Sequence, residues 1–175
     1  MRKSEFDSEM TPAHRERKTK SAQQALQALM RLCSRAEKST GDAMRLMRTW
    51  GVPEGERQGV IDTLIAQRFI SNRRYAEAYA REKSSLSGWG PKKIALQLKI
   101  KGVERDIINE VLSQYDGDTH REHLAERLRR KLRTTKASSD YELRGKLLRY
   151  ALSLGYDYDT ALSSIEQLTL SKDDN

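Results

Sequence analysis

Residues 71–115 read SNRRYAEAYAREKSSLSGWGPKKIALQLKIKGVERDIINEVLSQY, and this stretch predicts three short helices together with the residues that start and stop them. Ser71 and Asn72 are good N-cap residues ahead of the first helix. Pro91 is favoured at the first position of the second helix, and Gly102 is a natural left-handed stop at its end. The third helix follows at once, with an apolar stripe formed by Ile107, Ile108, Val111, Leu112 and Tyr115. The stretch is therefore one three-helix unit.

This unit occurs three times along the chain. The segments AMRLMRTWGV (43–52), IALQLKIKGV (94–103) and LLRYALSLGY (147–156) end alike, and their glycines are spaced 51 and 53 residues apart. In a Schellman-type helix cap, the residue after such a glycine contacts the residue four before the glycine. The corresponding pairs are all apolar: Met47 with Val52, Leu98 with Val103, and Ala151 with Tyr156. A near-constant period predicts tandem units, whereas the alternative is three unrelated helix ends that share a glycine stop.

The composition favours helix and argues against one large core. Hydrophobic residues make up 37% and charged residues 33% of the 175 residues, against about 45–50% and about 25% in average globular domains. Stacked repeats accommodate this composition because each unit buries a small core of its own. Leucine and alanine are abundant, valine is rare and strict apolar–polar alternation is absent, so we predict an all-α fold.

We divide the chain into a terminal arm, three helical repeats and a short tail. The arm mixes both charges with almost no apolar periodicity, which is typical of disorder. In chain order, the predicted segments are the disordered arm 1–20, the repeats 21–69, 70–116 and 117–170, and the polar tail 171–175.

Net charge and cysteine content indicate the kind of partner and the cellular compartment of the protein. A formal net charge of +8 points to polyanions or acidic protein surfaces as partners. Cys33 is the single cysteine, which excludes an internal disulfide and favours a reducing compartment. The sequence shows neither a signal peptide nor an apolar run of about 18 residues that would span a membrane. We therefore expect a cytoplasmic protein without a membrane partner.

Two clusters of basic residues form the candidate contact surface. Residues 71–101 contain eight basic and two acidic side chains, and the helix predicted at 120–136 is also strongly basic. Phosphates or carboxylates are the groups that such a surface would bind. The alternative is a solvated face without a partner, which is the commoner role of a charge run. The candidates are Arg73, Arg74, Lys92, Lys93, Lys99, Lys101, Arg129, Arg130 and Arg133.

No arrangement of residues indicates catalysis or a cofactor. Residues 88–93 read GWGPKK, which lacks the spacing and the preceding strand of a phosphate-binding P-loop. His120 and His123 are three residues apart, but HREH matches neither HExxH nor HxxEH, so we expect an exposed pair without a metal ion. With three histidines, one cysteine and no nucleophile elbow, we predict a protein that is not an enzyme and needs no cofactor.

The residues that carry the repeat also resemble a known family. The runs LIAQRFISNRRYAEAYAREK (64–83) and GWGPKKIALQLKIKGVERDIINEVL (88–112) resemble the RecX regulatory proteins, which modulate the RecA recombinase. YELRGKLLRYALSLGY (141–156) is similar to the second helix of the third unit in that family. The resemblance covers about 22–168 and rests on distributed positions. It departs at Ser71 and Asn72, where the family commonly has two aspartates.

The resemblance implies both a shape and a function. RecX-like proteins are tandem three-helix repeats arranged as an elongated, curved rod. The resemblance implies a non-enzymatic regulator that binds along the groove of the RecA–single-stranded DNA filament and restrains its growth, ATP turnover and strand exchange in homologous recombination, DNA repair and the SOS response. The implied partners are the recombinase filament and single-stranded DNA, with duplex DNA as a further candidate, and we expect a monomer.

Two other functions are compatible with the residues. Each three-helix unit could act like a helix-turn-helix, which would make the chain a direct nucleic-acid-binding protein that is independent of RecA. Alternatively, the chain is a plain helical scaffold whose charge maintains solubility. Tight DNA binding without recombinase would favour the helix-turn-helix reading.

Overall fold

The computed structural model describes residues 19–114 and 117–173, and over these ranges the chain is helical with no strand, which confirms the all-α prediction. Tyr115 and most of the predicted arm at 1–20 lie outside the described residues. In chain order the helices of the described ranges are α1 (Ala22–Cys33), α2 (Thr40–Thr49), α3 (Glu54–Ala66), α4 (Asn72–Ser85), α5 (Pro91–Ile100), α6 (Arg105–Ser113), α7 (Gly117–Thr134), α8 (Asp140–Ser153) and α9 (Tyr158–Asp173).

Each set of three consecutive helices encloses its own apolar core. We call the sets module 1 (α1–α3), module 2 (α4–α6) and module 3 (α7–α9). Their fully buried side chains include Leu29, Met47 and Leu64 in module 1, Ile94 and Leu98 in module 2, and Leu124, Leu128 and Leu147 in module 3. Each such side chain stabilises its module by about 1.5–3 kcal/mol. The tandem three-helix repeat is therefore confirmed, while the exact limits of the predicted segments remain predictions; α9 continues to Asp173, into the segment predicted as a polar tail.

The three repeat glycines occupy equivalent places. Gly51, Gly102 and Gly155 have φ angles of +69°, +76° and +91°, in the left-handed region that favours glycine. Each helix end carries the predicted Schellman bond, in which the residue after the glycine donates its backbone N–H across the cap. These bonds run from Val52 to Met47 at 3.0 Å, from Val103 to Leu98 at 3.1 Å and from Tyr156 to Ala151 at 3.3 Å.

Helix starts follow the predicted cap chemistry with one exception. The Ser71 hydroxyl accepts a hydrogen bond from the Arg74 backbone N–H at the start of α4, and Pro91 is the first residue of α5. Asn72, predicted as a cap of the same helix as Ser71, instead caps a helix of the preceding module. Its Oδ1 accepts the backbone N–H of Thr40, the first residue of α2, at 3.0 Å. The prediction for Asn72 was wrong because the N–H that it caps belongs to Thr40, 32 residues away in the sequence.

Consecutive modules meet end to end through glycines. Gly41, in the first turn of α2, donates its backbone N–H to the Lys101 carbonyl at 3.2 Å, and Gly90 donates to the Leu154 carbonyl at 2.8 Å. We call these contacts the first and the second junction. A Cβ at Gly41 would lie 2.4 Å from the Lys101 carbonyl oxygen, so a larger residue does not fit without movement of the backbone. The helices α8, α5 and α2 therefore follow one another head to tail, with opposite dipole ends in contact.

Candidate partner-binding surface

Arg73 and Arg74 lie on the surface of module 2, where each is held by a carboxylate of the same chain. Arg73 donates two hydrogen bonds to the Glu110 carboxylate, at 2.7 and 2.6 Å. Arg74 donates through Nε to Glu37 Oε1 at 2.8 Å. The hydrogen bond from Arg73 lowers the pKa of Glu110 below its ordinary value. Both arginines therefore have a local counter-charge, and a partner's phosphate or carboxylate would have to compete with it.

Lys101 is positioned by the first junction. Its Nζ donates to Asp42 Oδ1 at 2.9 Å, and the Lys101 side chain is only 24% exposed. The same Asp42 oxygen also accepts a hydrogen bond from Arg45. Burial, followed by the charge of Asp42, raises the pKa of the Tyr75 hydroxyl. The charge of Lys101 is thus compensated within the chain, between modules 1 and 2.

Lys93 plays a comparable part at the second junction. Its Nζ lies 4.6 Å from the centroid of the Trp89 ring and donates to the Ser153 carbonyl oxygen at 3.1 Å. Trp89 packs against the cores of both module 2 and module 3. A cation over an indole face contributes about 0.5–2 kcal/mol, so Lys93 helps to hold the two modules together.

The remaining candidates divide by whether they have a partner. Arg130 forms an ion pair with Glu126, one turn earlier on α7. The other four have exposed side chains that make no hydrogen bond or ion pair with any described residue. We call them the exposed cations: Lys92 and Lys99 on α5, and Arg129 and Arg133 on α7. These four are the predicted residues whose charge is most available to a polyanion or an acidic surface.

The two neighbouring histidines are not the exposed pair that the sequence predicts. His120 is 6% exposed, and its ring lies edge-on to Tyr156 with 6.4 Å between centroids. His123 is half-buried, with Nδ1 3.2 Å from the hydroxyl of the buried Ser84 of module 2. The prediction was wrong because this face of α7 packs inward and against α4. Over residues 19–114 and 117–173, no three potential metal-ligating side chains come together.

Two features of the surface were missed by sequence reasoning. The Asn72 side chain bridges modules, since its Nδ2 donates to Thr40 Oγ1 at 3.0 Å and to Glu104 Oε2 at 2.9 Å. Leu96 and Ile100 on α5 are 57% and 65% exposed. A signal for the second feature exists, because α5 reads PKKIALQLKI and carries more apolar residues than one buried face can hold. Asn72 has no comparable signal in the sequence.

A shallow groove lies beside the first junction. Its volume is about 420 Å³, and it is lined by both charged and apolar side chains, among them Ile65, Arg68, Arg73, Arg74, Glu104 and Ile107. Such an open, mixed lining suits contact with a macromolecule better than enclosure of a small molecule. None of the described helices has the length and apolar character to cross a membrane.

Comparison with known proteins identifies relatives over most of the chain. The family model "RecX, second three-helix domain" matches residues 71–112. The regulatory protein RecX of Clostridium botulinum is 32% identical over 127 residues, which are 71% of this chain and 58% of that protein. The protein of the same name from Bacillus velezensis is 28% identical over 140 residues, which are 80% of this chain and 52% of that protein. The chain thus spans about half the length of these curated relatives.

Solved structures agree with the sequence relatives. The crystal structure of RecX from Lactobacillus salivarius matches with a TM-score of 0.71 and 26% identity, covering 85% of this chain and 97% of that one. A second crystal structure, of a regulatory protein RecX, has a TM-score of 0.73 at 18% identity and supports the fold alone. By sequence and by fold, the chain belongs to the RecX family of regulatory proteins.

Proposed function

We propose that this chain is a non-enzymatic regulator that binds the RecA–single-stranded DNA filament and mainly inhibits its ATPase activity and strand exchange. Membership of a family of regulatory proteins supports the regulatory role. Binding and inhibition are argued from the arrangement of the modules and from their charge. In this proposal the chain acts in the cytoplasm as a monomer, during recombination and the SOS response.

The observation that carries the proposal is the repeated glycine junction. Gly41 against Lys101 and Gly90 against Leu154 join equivalent ends of successive modules. Because no side chain intervenes at these contacts, the modules are held at a fixed spacing. A filament repeats its subunits at fixed intervals, so a rod with regularly spaced faces can contact several of them at once. Several weak contacts on one rigid chain then act together through effective concentration.

The exposed cations supply the second line of support. They occur in two modules, with Lys92 and Lys99 on α5 and Arg129 and Arg133 on α7. The DNA of the filament carries a phosphate at each nucleotide, and charge of opposite sign speeds association as well as stabilising the complex. The net charge of +8 also favours association with a negatively charged partner.

The proposal is tested by titrating the chain into a RecA–single-stranded DNA ATPase assay at moderate salt. Inhibition at less than one chain per RecA subunit is the expected result, since a chain that spans neighbouring subunits affects more than one of them. Binding to the same DNA without RecA is measured in parallel. Unchanged ATP turnover together with nanomolar affinity for DNA alone would replace the filament regulator with the RecA-independent, helix-turn-helix-like DNA-binding protein.

A further inference from the structure

The outer face of α5 carries two exposed aliphatic side chains beside two exposed lysines. Leu96 is 57% exposed and Ile100 is 65% exposed. Lys92 and Lys99 share this face, because residues at spacings of three, four, seven and eight lie on the same side of a helix. Helix α5 contains no acidic residue. The face therefore has an apolar centre, Leu96 and Ile100, with a cationic border along one side, Lys92 and Lys99.

The equivalent positions of the other two modules are polar. Leu96 and Ile100 lie six and two residues before the cap glycine Gly102. The same steps back from Gly51 and Gly155 lead to Arg45 and Thr49 on α2, and to Arg149 and Ser153 on α8. The repeat fold therefore does not require apolar residues at these positions. The exposed pair in module 2 is a property of this one face.

The chemistry of the face favours a protein over a nucleic acid as its partner. Phosphates are bound by cations and hydrogen-bond donors, and bases stack on flat aromatic rings; the aliphatic side chains of Leu96 and Ile100 offer neither. An apolar centre with a charged border is the usual anatomy of a protein–protein interface. The complementary surface has an apolar centre bordered by Asp or Glu, since neither Lys92 nor Lys99 forms an ion pair with a described carboxylate, although Asp157 lies within electrostatic range of Lys92.

We infer that the outer face of α5, formed by Lys92, Leu96, Lys99 and Ile100, is the docking surface for an apolar patch with an acidic border on a partner protein. This inference rests on the proposed function, from which it follows that the patch belongs to the recombinase subunit and not to its DNA. Arg129 and Arg133, on α7, lack such an apolar centre and remain available for phosphates.

The test compares two variants by fluorescence anisotropy, using labelled chain with the RecA–single-stranded DNA filament and with the same DNA alone. Leu96→Gln/Ile100→Gln replaces the apolar centre with residues that favour helix equally well. Leu86→Gln is the matched control, because Leu86 is 74% exposed in the same module and lies outside the α5 face. We expect the double variant to bind the filament at least about tenfold more weakly, as central interface residues usually do, with its DNA binding unchanged. The control should stay within about twofold of the wild type.

The outcomes separate this inference from the proposed function. If the wild type binds the filament and the double variant binds it equally well, the α5 face is not the docking surface, although the filament regulator stands. Equal weakening on DNA alone would assign the face to nucleic acid and overturn the inference. If the wild type itself fails to bind the filament, the proposed function is wrong, and the recombinase is not the partner that binds this face. Circular dichroism establishes that each variant keeps the helix content of the wild type.

Discussion

Gly90 and Gly155 are in direct backbone contact, although 64 residues of sequence separate them: a Cβ placed on Gly90 would lie 2.6 Å from the Gly155 carbonyl oxygen. The contact joins the N-terminus of α5 to the cap that ends α8. Gly41 and Gly102 repeat it between modules 1 and 2, where the Gly41 Cα lies 3.1 Å from the site of a Gly102 Cβ. The absence of side chains at these glycines lets the helices meet head to tail.

Gly90→Ala should therefore weaken the second junction. The added methyl group meets backbone atoms, which cannot rotate away as a flexible side chain can, so we expect a loss of about 1–3 kcal/mol of unfolding free energy. Gly145→Ala is the matched control, since its Cβ would meet nothing within 4 Å in the middle of α8. That substitution should stabilise the chain by up to about 1 kcal/mol. Urea unfolding measures both; equal effects of the same sign would argue against the junction.

Asn72→Ala should destabilise the first junction. The substitution leaves the Thr40 backbone N–H without the Oδ1 acceptor at 3.0 Å and removes the two Nδ2 N–H donors, which Thr40, Gly102 and Glu104 share. A buried donor left unsatisfied costs about 1–3 kcal/mol. Asn109→Ala, on the exposed surface of α6, is the control and should change the unfolding free energy by less than about 0.5 kcal/mol. Similar losses for the two variants would contradict a bridging role for Asn72.

Arg68→Gly should stabilise the chain. Arg68 follows α3 with a φ of +60°, a left-handed conformation that costs a residue with a Cβ about 1–2 kcal/mol. Glycine relieves most of this cost and keeps the helix cap. We therefore expect the free energy of unfolding, measured by thermal denaturation, to rise by about 1 kcal/mol. Gln67→Gly is the control: Gln67 has a φ of −85°, and glycine there should destabilise by about 0.5–1 kcal/mol. If Arg68→Gly is instead destabilised, the contacts of the Arg68 side chain contribute more to stability than its left-handed backbone conformation costs.

Glu142 makes the start of α8 sensitive to acid. Hydrogen bonds from Lys146 and then Ser138 lower the pKa of Glu142 from 4.5 to about 2. A lowered pKa gives stability that is fully present above pH 4.5 and is lost as the pH falls towards 2. Glu142→Gln should therefore reduce stability at neutral pH, and its difference from the wild type should vanish near pH 2. Urea unfolding across this range provides the measurement; a difference that is independent of pH would show that the carboxylate charge is not involved.

The fold could be predicted from the sequence because its main signals are local. Gly51, Gly102 and Gly155 stop helices through contacts within a few residues, and the repeat brings those stops into register. The pairing of charges could not be predicted in this way, because it joins residues that are distant in sequence. Arg73 pairs with Glu110 and Arg74 with Glu37, each 37 residues away. Apart from the local pair of Arg130 with Glu126, the packing of helices decides which of the nine basic candidates are neutralised, and the sequence does not show that packing. The positive φ of Arg68 was equally hidden, since nothing in its residue type indicates it.

The most direct test of the regulatory role is ATP turnover by the RecA–single-stranded DNA filament, measured while two variants and the wild type are titrated in. Lys92→Glu/Lys99→Glu/Arg129→Glu/Arg133→Glu reverses the exposed cations, and Arg31→Glu/Arg48→Glu/Arg144→Glu/Arg149→Glu is a control with the same change of charge on the exposed surfaces of α1, α2 and α8. We expect the wild type to inhibit at substoichiometric amounts. Reversal of the exposed cations should raise the half-maximal inhibitory concentration by at least about tenfold, because several charge contacts are lost at once. The control should raise it much less. ATP turnover that the wild type leaves unchanged, at concentrations above those of the RecA subunits, would contradict the proposal that this chain regulates the filament.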